Sequence, residues 1–131
     1  MDSNITNSSN NSNIDFAQYD KYKDAEKVII EDIVVGTGPE VKTGNNIVVH
    51  YRGWLTDGQI FDESYGRGEP FSFTPGQRRV ITGWEDGTIG MQVGGKRRLV
   101  VPPVAGYGNS AVGTIPASSV LVFDIELLAV R

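Results

Sequence analysis

Between Lys27 and Arg131 a single stretch carries a helix signal, Val80-Ile81-Thr82-Gly83-Trp84-Glu85. Thr82 and Glu85 have the S/T-x-x-E spacing of a capping box, which predicts a helix starting at Thr82. Gly83, Gly87 and Gly90 weaken that helix and keep it short. Around it the pattern is strand and turn. Val28 to Val35 is a β-branched run ending at Gly36-Thr37-Gly38-Pro39. Ile47 to Leu55 alternates, with Ile47, Val49 and Tyr51 predicted inward and His50 outward. Asp57-Gly58 is a hairpin turn, and Gln59 to Asp62 forms the returning strand. Phe71 and Phe73 mark a short strand before the Pro75-Gly76 turn. Lys96 to Val101 is a strand stopped by Pro102-Pro103. Val104 to Ser119 is a long loop, and Val120 to Val130 is the last strand, with Leu121, Phe123, Ile125 and Leu127 on its inner face. One short helix among such strands predicts an α+β domain, a curved antiparallel sheet folded over the helix.

The 131 residues are enough for one domain with a real core. Residues 1–13 are nearly all Asn, Ser, Thr and Asp and are expected to be disordered. Residues 14–26 place Ile14, Phe16, Tyr19 and Tyr22 among charges, a pattern open to an arm packed on the domain. The reading favoured here treats 1–26 as a polar, disordered leader and 27–131 as the domain. The net charge of −4 argues against a nucleic-acid binder, and Lys96-Arg97-Arg98 reads as a solvated strand end. Cysteine is absent, which rules out disulfides and thiol chemistry, and one histidine cannot build a multi-histidine metal site. No apolar run spans a membrane and no signal core opens the chain, so a cytoplasmic, monomeric protein is expected.

Trp84 alone reads as a core residue. Tyr51, Phe61, Phe71, Phe73, Tyr107 and Phe123 lie in strands and loops around it, and a tryptophan facing that many rings can floor an apolar pocket. Tyr107 sits on a Gly-rich loop, where sites concentrate. Asp62 is a carboxylate beside an apolar wall, which favours a functional role over a merely structural one. Phe73 and Leu121 read as core, and Trp54 as surface packing.

Five motifs then fall in order: Val48-Val49-His50-Tyr51-x-Gly53, Asp57-Gly58-x-x-Phe61-Asp62-x-Ser64, Val80-Ile81-x-Gly83-Trp84-Glu85, Tyr107-Gly108, and Leu121 through Leu128. Together they resemble the FKBP family, the peptidyl-prolyl cis-trans isomerases that bind tacrolimus and rapamycin. The resemblance covers Lys27 to Arg131. It implies a five- to six-stranded half-barrel wrapped on the helix, with the pocket between them and no cofactor or metal. It places Trp84 at the floor of the pocket. Tyr51, Phe71, Val80, Ile81 and Phe123 resemble the walls, Phe61 the side and Ile115 part of the ligand-binding rim. It further implies a backbone N–H donor at Ile81 and a hydroxyl donor at Tyr107. Asp62 resembles the pocket carboxylate, with Arg67 as its partner. Asp62, Tyr107, Trp84 and Phe61 are the implied catalytic set. The chain departs from the family between Tyr107 and Pro116: the loop is one residue shorter than in the best-known small members. Ala111-Val112-Gly113 replace the histidine often found at its tip. That departure bears on substrate preference and macrolide affinity.

The implied chemistry needs no nucleophile. Amide resonance opposes rotation about a peptide bond by about 18–20 kcal/mol. X-Pro isomers of similar energy therefore exchange over roughly tens to hundreds of seconds. Water stabilises the planar, charge-separated amide, and an apolar pocket withdraws that support. Donors that hold the twisted conformer add differential transition-state binding. Two rival readings stand beside the enzyme: a module that binds proline peptides or a partner protein without turnover, and an accessory docked to an assembly through its tail.

Overall fold

The computed structural model describes residues 14–131. The strands are β1 (Ile29–Val34), β2 (Ile47–Leu55), β3 (Ile60–Glu63), β4 (Phe71–Phe73), β5 (Lys96–Val101) and β6 (Leu121–Val130). The helix α1 is Thr82–Gly87. The pairings are antiparallel and form one six-stranded sheet in the order β1-β5-β6-β2-β3, with β4 also on β2. The α+β reading, an antiparallel sheet with one short helix, is the fold observed. No helix among the described residues is long and apolar enough to cross a membrane.

The alternation read along β2 and β6 holds. Ile47, Val49, Tyr51, Leu121, Phe123, Ile125 and Leu127 are all buried, in one core with Trp84, Leu99 and Val101. The glycines that weaken α1 also seat it. A Cβ on Gly83 would lie 2.7 Å from a Val101 methyl, and one on Gly87 2.7 Å from a Leu99 methyl. Side chains at either position would push the helix off β5. The expected capping box does not form. Ile81 is the N-cap and no side chain caps the helix. Glu85 accepts instead from the Gly76 N–H, fastening α1 to the turn after β4.

The outer face of the sheet differs from expectation. Phe16–Tyr22 is a 3-10 helix, opened by Asp15, whose carboxylate accepts from the Ala17 N–H. Phe16 and Tyr19 are buried in a second core with Trp54, Val100, Val120 and Val122. The expected disordered leader thus holds for none of residues 14–22, and residues 1–13 lie outside the described residues. Trp54, expected at the surface, is 3% exposed. The physical reason is that β5 and β6 are apolar on both faces there, and the arm supplies the second cover.

The basic run is not a solvated strand end either. Arg98 pairs with Asp124 through two bonds, Nε to Oδ1 at 2.7 Å and Nη2 to Oδ2 at 2.8 Å, and also donates to the Tyr19 hydroxyl. The hydrogen-bonded Asp124 carboxylate holds the Arg98 guanidinium well above the ordinary arginine range, against its burial. Arg97 is buried, pairs with Asp32 at 2.7 Å, and donates through Nη1 to the carbonyls of Gly87 and Ile89. It thereby satisfies the open C-terminal end of α1.

Candidate active site

The site begins where β2 changes partners. Ile47–Val49 pair with β4, and Arg52–Trp54 with β3. Tyr51 falls in the gap, and Ser64 fills it. The Ser64 hydroxyl is fully buried and accepts from the Tyr51 N–H at 2.7 Å, while the Ser64 N–H donates to the Tyr51 carbonyl at 2.9 Å. His50 points to the other side, stacked on Tyr65 with ring centroids 4.7 Å apart, and its Nδ1 lies 2.8 Å from the Ser64 hydroxyl.

Fixed in this way, Tyr51 points inward and donates its hydroxyl to Asp62 Oδ2 at 2.6 Å. Arg67 closes the triangle, with Nη1 to Asp62 Oδ1 and Nη2 to the Tyr51 hydroxyl, both at 2.9 Å. Burial acts to raise the Asp62 pKa. The hydrogen bonds from Tyr51 and Arg67, with the Arg67 charge, outweigh it and leave the carboxyl below its ordinary value. Burial and the bond to Asp62 push the Tyr51 hydroxyl up. Asp62 is therefore a carboxylate, and Tyr51 a neutral donor, across the neutral range.

Trp84 sits at the helix start with its indole edge-on to Tyr51, Phe71 and Phe123, at centroid distances of 4.8, 5.9 and 5.3 Å. Phe61 packs edge-on to Phe123 at 5.5 Å. This edge-to-face geometry is the favoured one for aromatic pairs and fixes the rings as a rigid wall. Gly53 makes it possible: a Cβ there would lie 2.7 Å from the Phe61 ring and 2.9 Å from the Phe123 ring. The rings enclose an open cavity of about 170 Å³ lined by Tyr51, Phe61, Asp62, Phe71, Arg79, Val80, Ile81, Trp84, Tyr107 and Phe123. Tyr107 is 39% exposed on the rim. Neither its hydroxyl nor the Ile81 N–H has a hydrogen-bond partner among the described residues.

All the expected site residues but one meet at this cavity. Ile115 is buried in the main core instead, and its backbone exchanges two hydrogen bonds with Val112. It folds the rim loop rather than lining the cavity. Sequence reasoning left out Gly53 and Ser64 as site builders, although both stand in the motifs quoted. It also left out Arg79, whose signal was only its place beside Val80. A second cleft of about 190 Å³ lies between the arm and the end of the long loop, lined by Asp20, Lys23, Thr56, Asp57 and Ser118 among others. It has no aromatic floor, and Leu55, Pro116 and Val120 stand there among charged and hydroxyl side chains. Among the described residues no group of His, Cys, Asp or Glu is placed to hold a metal ion.

Comparison with known proteins agrees with this fold. Residues 38–128 match the family described as FKBP-type peptidyl-prolyl cis-trans isomerase. The chain is 52% identical over 93 residues to FK506-binding protein 1A of Neurospora crassa, covering 70% of this chain and 78% of that one. It is 49% identical over 109 residues to FK506-binding protein 4 of Chaetomium thermophilum, of whose length it spans 22%. The crystal structure of AtFKBP13 superposes with a TM-score of 0.74 at 42% identity, covering 79% of this chain and 93% of that one. The chain belongs to the FKBP-type peptidyl-prolyl cis-trans isomerase family and is an isomerase of that type.

Proposed function

We propose that the cavity over Trp84 receives the proline of an X-Pro bond in a peptide or protein, and that tacrolimus- and rapamycin-type macrolides compete for the same space. The observation that carries this reading is the meeting of an indole floor and ring walls with donors left without partners at the rim, the Ile81 N–H and the Tyr107 hydroxyl.

The proline ring settles on Trp84 and its amide leaves water. Loss of hydration weakens the charge-separated planar amide more than the twisted one, so the barrier falls. The Ile81 N–H and the Tyr107 hydroxyl are free to bond substrate carbonyls and hold the twisted conformer. Each ~1.4 kcal/mol gained by the twisted state over the planar one gives about a tenfold rate increase. Asp62 acts as a fixed charge: both of its oxygens are engaged by Tyr51 and Arg67, so it tolerates the apolar wall. Its bond to Tyr51 orients the ring that packs on Trp84.

The isomerisation rate of a short X-Pro peptide, measured with and without the protein and then with rapamycin, tests the assignment. Acceleration suppressed by stoichiometric rapamycin is expected. Acceleration that survives Tyr107→Ala and saturating rapamycin would place the reaction elsewhere.

A further inference from the structure

The cavity over Trp84 holds about 170 Å³, below the roughly 300–1,000 Å³ of sites that enclose a drug-sized ligand. A proline ring suits such a space, and the residues on either side of it run out over the mouth. Charge at the mouth then bears on which X-Pro bonds enter. Two charged residues line the cavity, Asp62 and Arg79. The Asp62 charge is answered within the protein by Arg67 and the Tyr51 hydroxyl. Arg79 is exposed and has no ion pair or side-chain hydrogen bond among the described residues. Its neighbour Arg78 is also exposed, held at a φ of 58°. Arg79 therefore brings to the cavity a positive charge that no ion pair among the described residues answers, on a chain whose net charge is −4.

We propose that Arg79 makes this isomerase selective for prolines flanked by an acidic residue, its guanidinium pairing with the substrate carboxylate while the proline ring sits on Trp84. The proposal rests on the Trp84 cavity being the site of isomerisation. A guanidinium presents a planar fork of donors to a carboxylate and repels a lysine in the same place. Charge at the rim of a site sets partner preference and salt dependence more than total affinity.

The test uses acetylated, amidated Ala-Xaa-Pro-Phe peptides with Glu or Lys at Xaa, and matched peptides with Glu or Lys after the proline. Isomerisation is followed by NMR exchange at low salt. We expect kcat/KM for the Glu member to exceed the Lys member by about two- to fivefold in at least one pair, as fits an exposed ion pair. The ratio should fall towards one at about 0.5 M salt, where screening is strong. Arg79→Gln should remove the preference and Arg79→Glu should reverse it. Taking the ratio within each variant separates charge preference from any change in overall rate. Equal rates for Glu and Lys in both pairs, with catalysis intact, would overturn the proposal, as would a preference unchanged in Arg79→Gln. No acceleration of any peptide by the folded native protein would overturn the isomerase site itself, and this inference with it.

Discussion

Phe16 lies stacked on Trp54, ring centroids 4.9 Å apart and planes inclined by 30°, on the face of the sheet opposite α1. The contact joins the N-terminal arm to β2, the strand that carries Tyr51 on its other face. Asp20 reinforces it by accepting from the Thr56 hydroxyl at 2.6 Å. The arm is thus part of the folded domain, and it covers the buried Arg98–Asp124 pair.

Phe16→Ala is accordingly expected to destabilise the protein by about 3 kcal/mol, in the range for burying and losing a phenylalanine. Trp54→Ala should lose as much, and the double variant less than the sum, with a coupling of about 1 kcal/mol. Urea unfolding of the four proteins measures this. Peptide isomerisation should persist in Phe16→Ala where the protein is folded, because the cavity lies on the other face. Additive losses within error would show that the two rings do not support one another.

Arg97→Ala should be costly although it lies outside the cavity. The substitution leaves the Gly87 and Ile89 carbonyls without their donor at a buried helix end and frees Asp32. A loss of about 2–4 kcal/mol is expected, together with faster amide exchange in α1. A change within about 0.5 kcal/mol, typical of a surface substitution, would mean that Arg97 does not hold the helix.

The cavity and the core separate by what they lose. Phe61→Ala and Tyr107→Ala should lower kcat/KM by more than their stability changes, since Phe61 is half-buried and Tyr107 exposed. Leu127→Ala, at a site 1% exposed, should cost about 2–5 kcal/mol and leave kcat/KM of the folded fraction close to native. Comparable stability losses at all three positions would mean that Phe61 and Tyr107 serve the core.

What could be read from the sequence follows from which interactions are periodic. The alternation along β2 and the inner residues of β6 are periodic, so the inner core and the ring set around Trp84 were legible. Trp54, Val100 and Val122 are covered by a segment far away in the chain, and the signs of that cover were the unbroken apolar runs Leu99–Val101 and Leu121–Phe123 and the apolar residues Ile14, Phe16, Tyr19 and Tyr22 set among charges. The partners of Arg97 and Arg98 are Asp32, helix carbonyls and Asp124, contacts that no local pattern encodes. Thr82 and Glu85 had the spacing of a capping box, but the Gly76 N–H, brought close by the turn after β4, took the glutamate. Ile115 was carried to the site by resemblance, whereas its place in the core depends on how the rim loop closes on Val112. Arg79 needed the cavity itself, since an exposed arginine before an apolar pair has no distinctive local signal.

We propose that desolvation and conformer selection over Trp84 drive the isomerisation, with no proton transferred. Asp62 is held below the ordinary carboxylate range and Tyr51 above the ordinary phenol range, so neither changes charge near neutrality. Histidine is the side-chain type that titrates there, and His50 faces Tyr65 on the far side of β2. The most direct measurement is kcat/KM on a non-titrating X-Pro peptide from about pH 6 to 9, a window between the reference carboxylate and phenol values. A flat profile is expected, and His50→Ala should leave it flat. A bell-shaped profile centred near neutrality, abolished by His50→Ala or Asp62→Asn, would contradict it and show general acid–base catalysis.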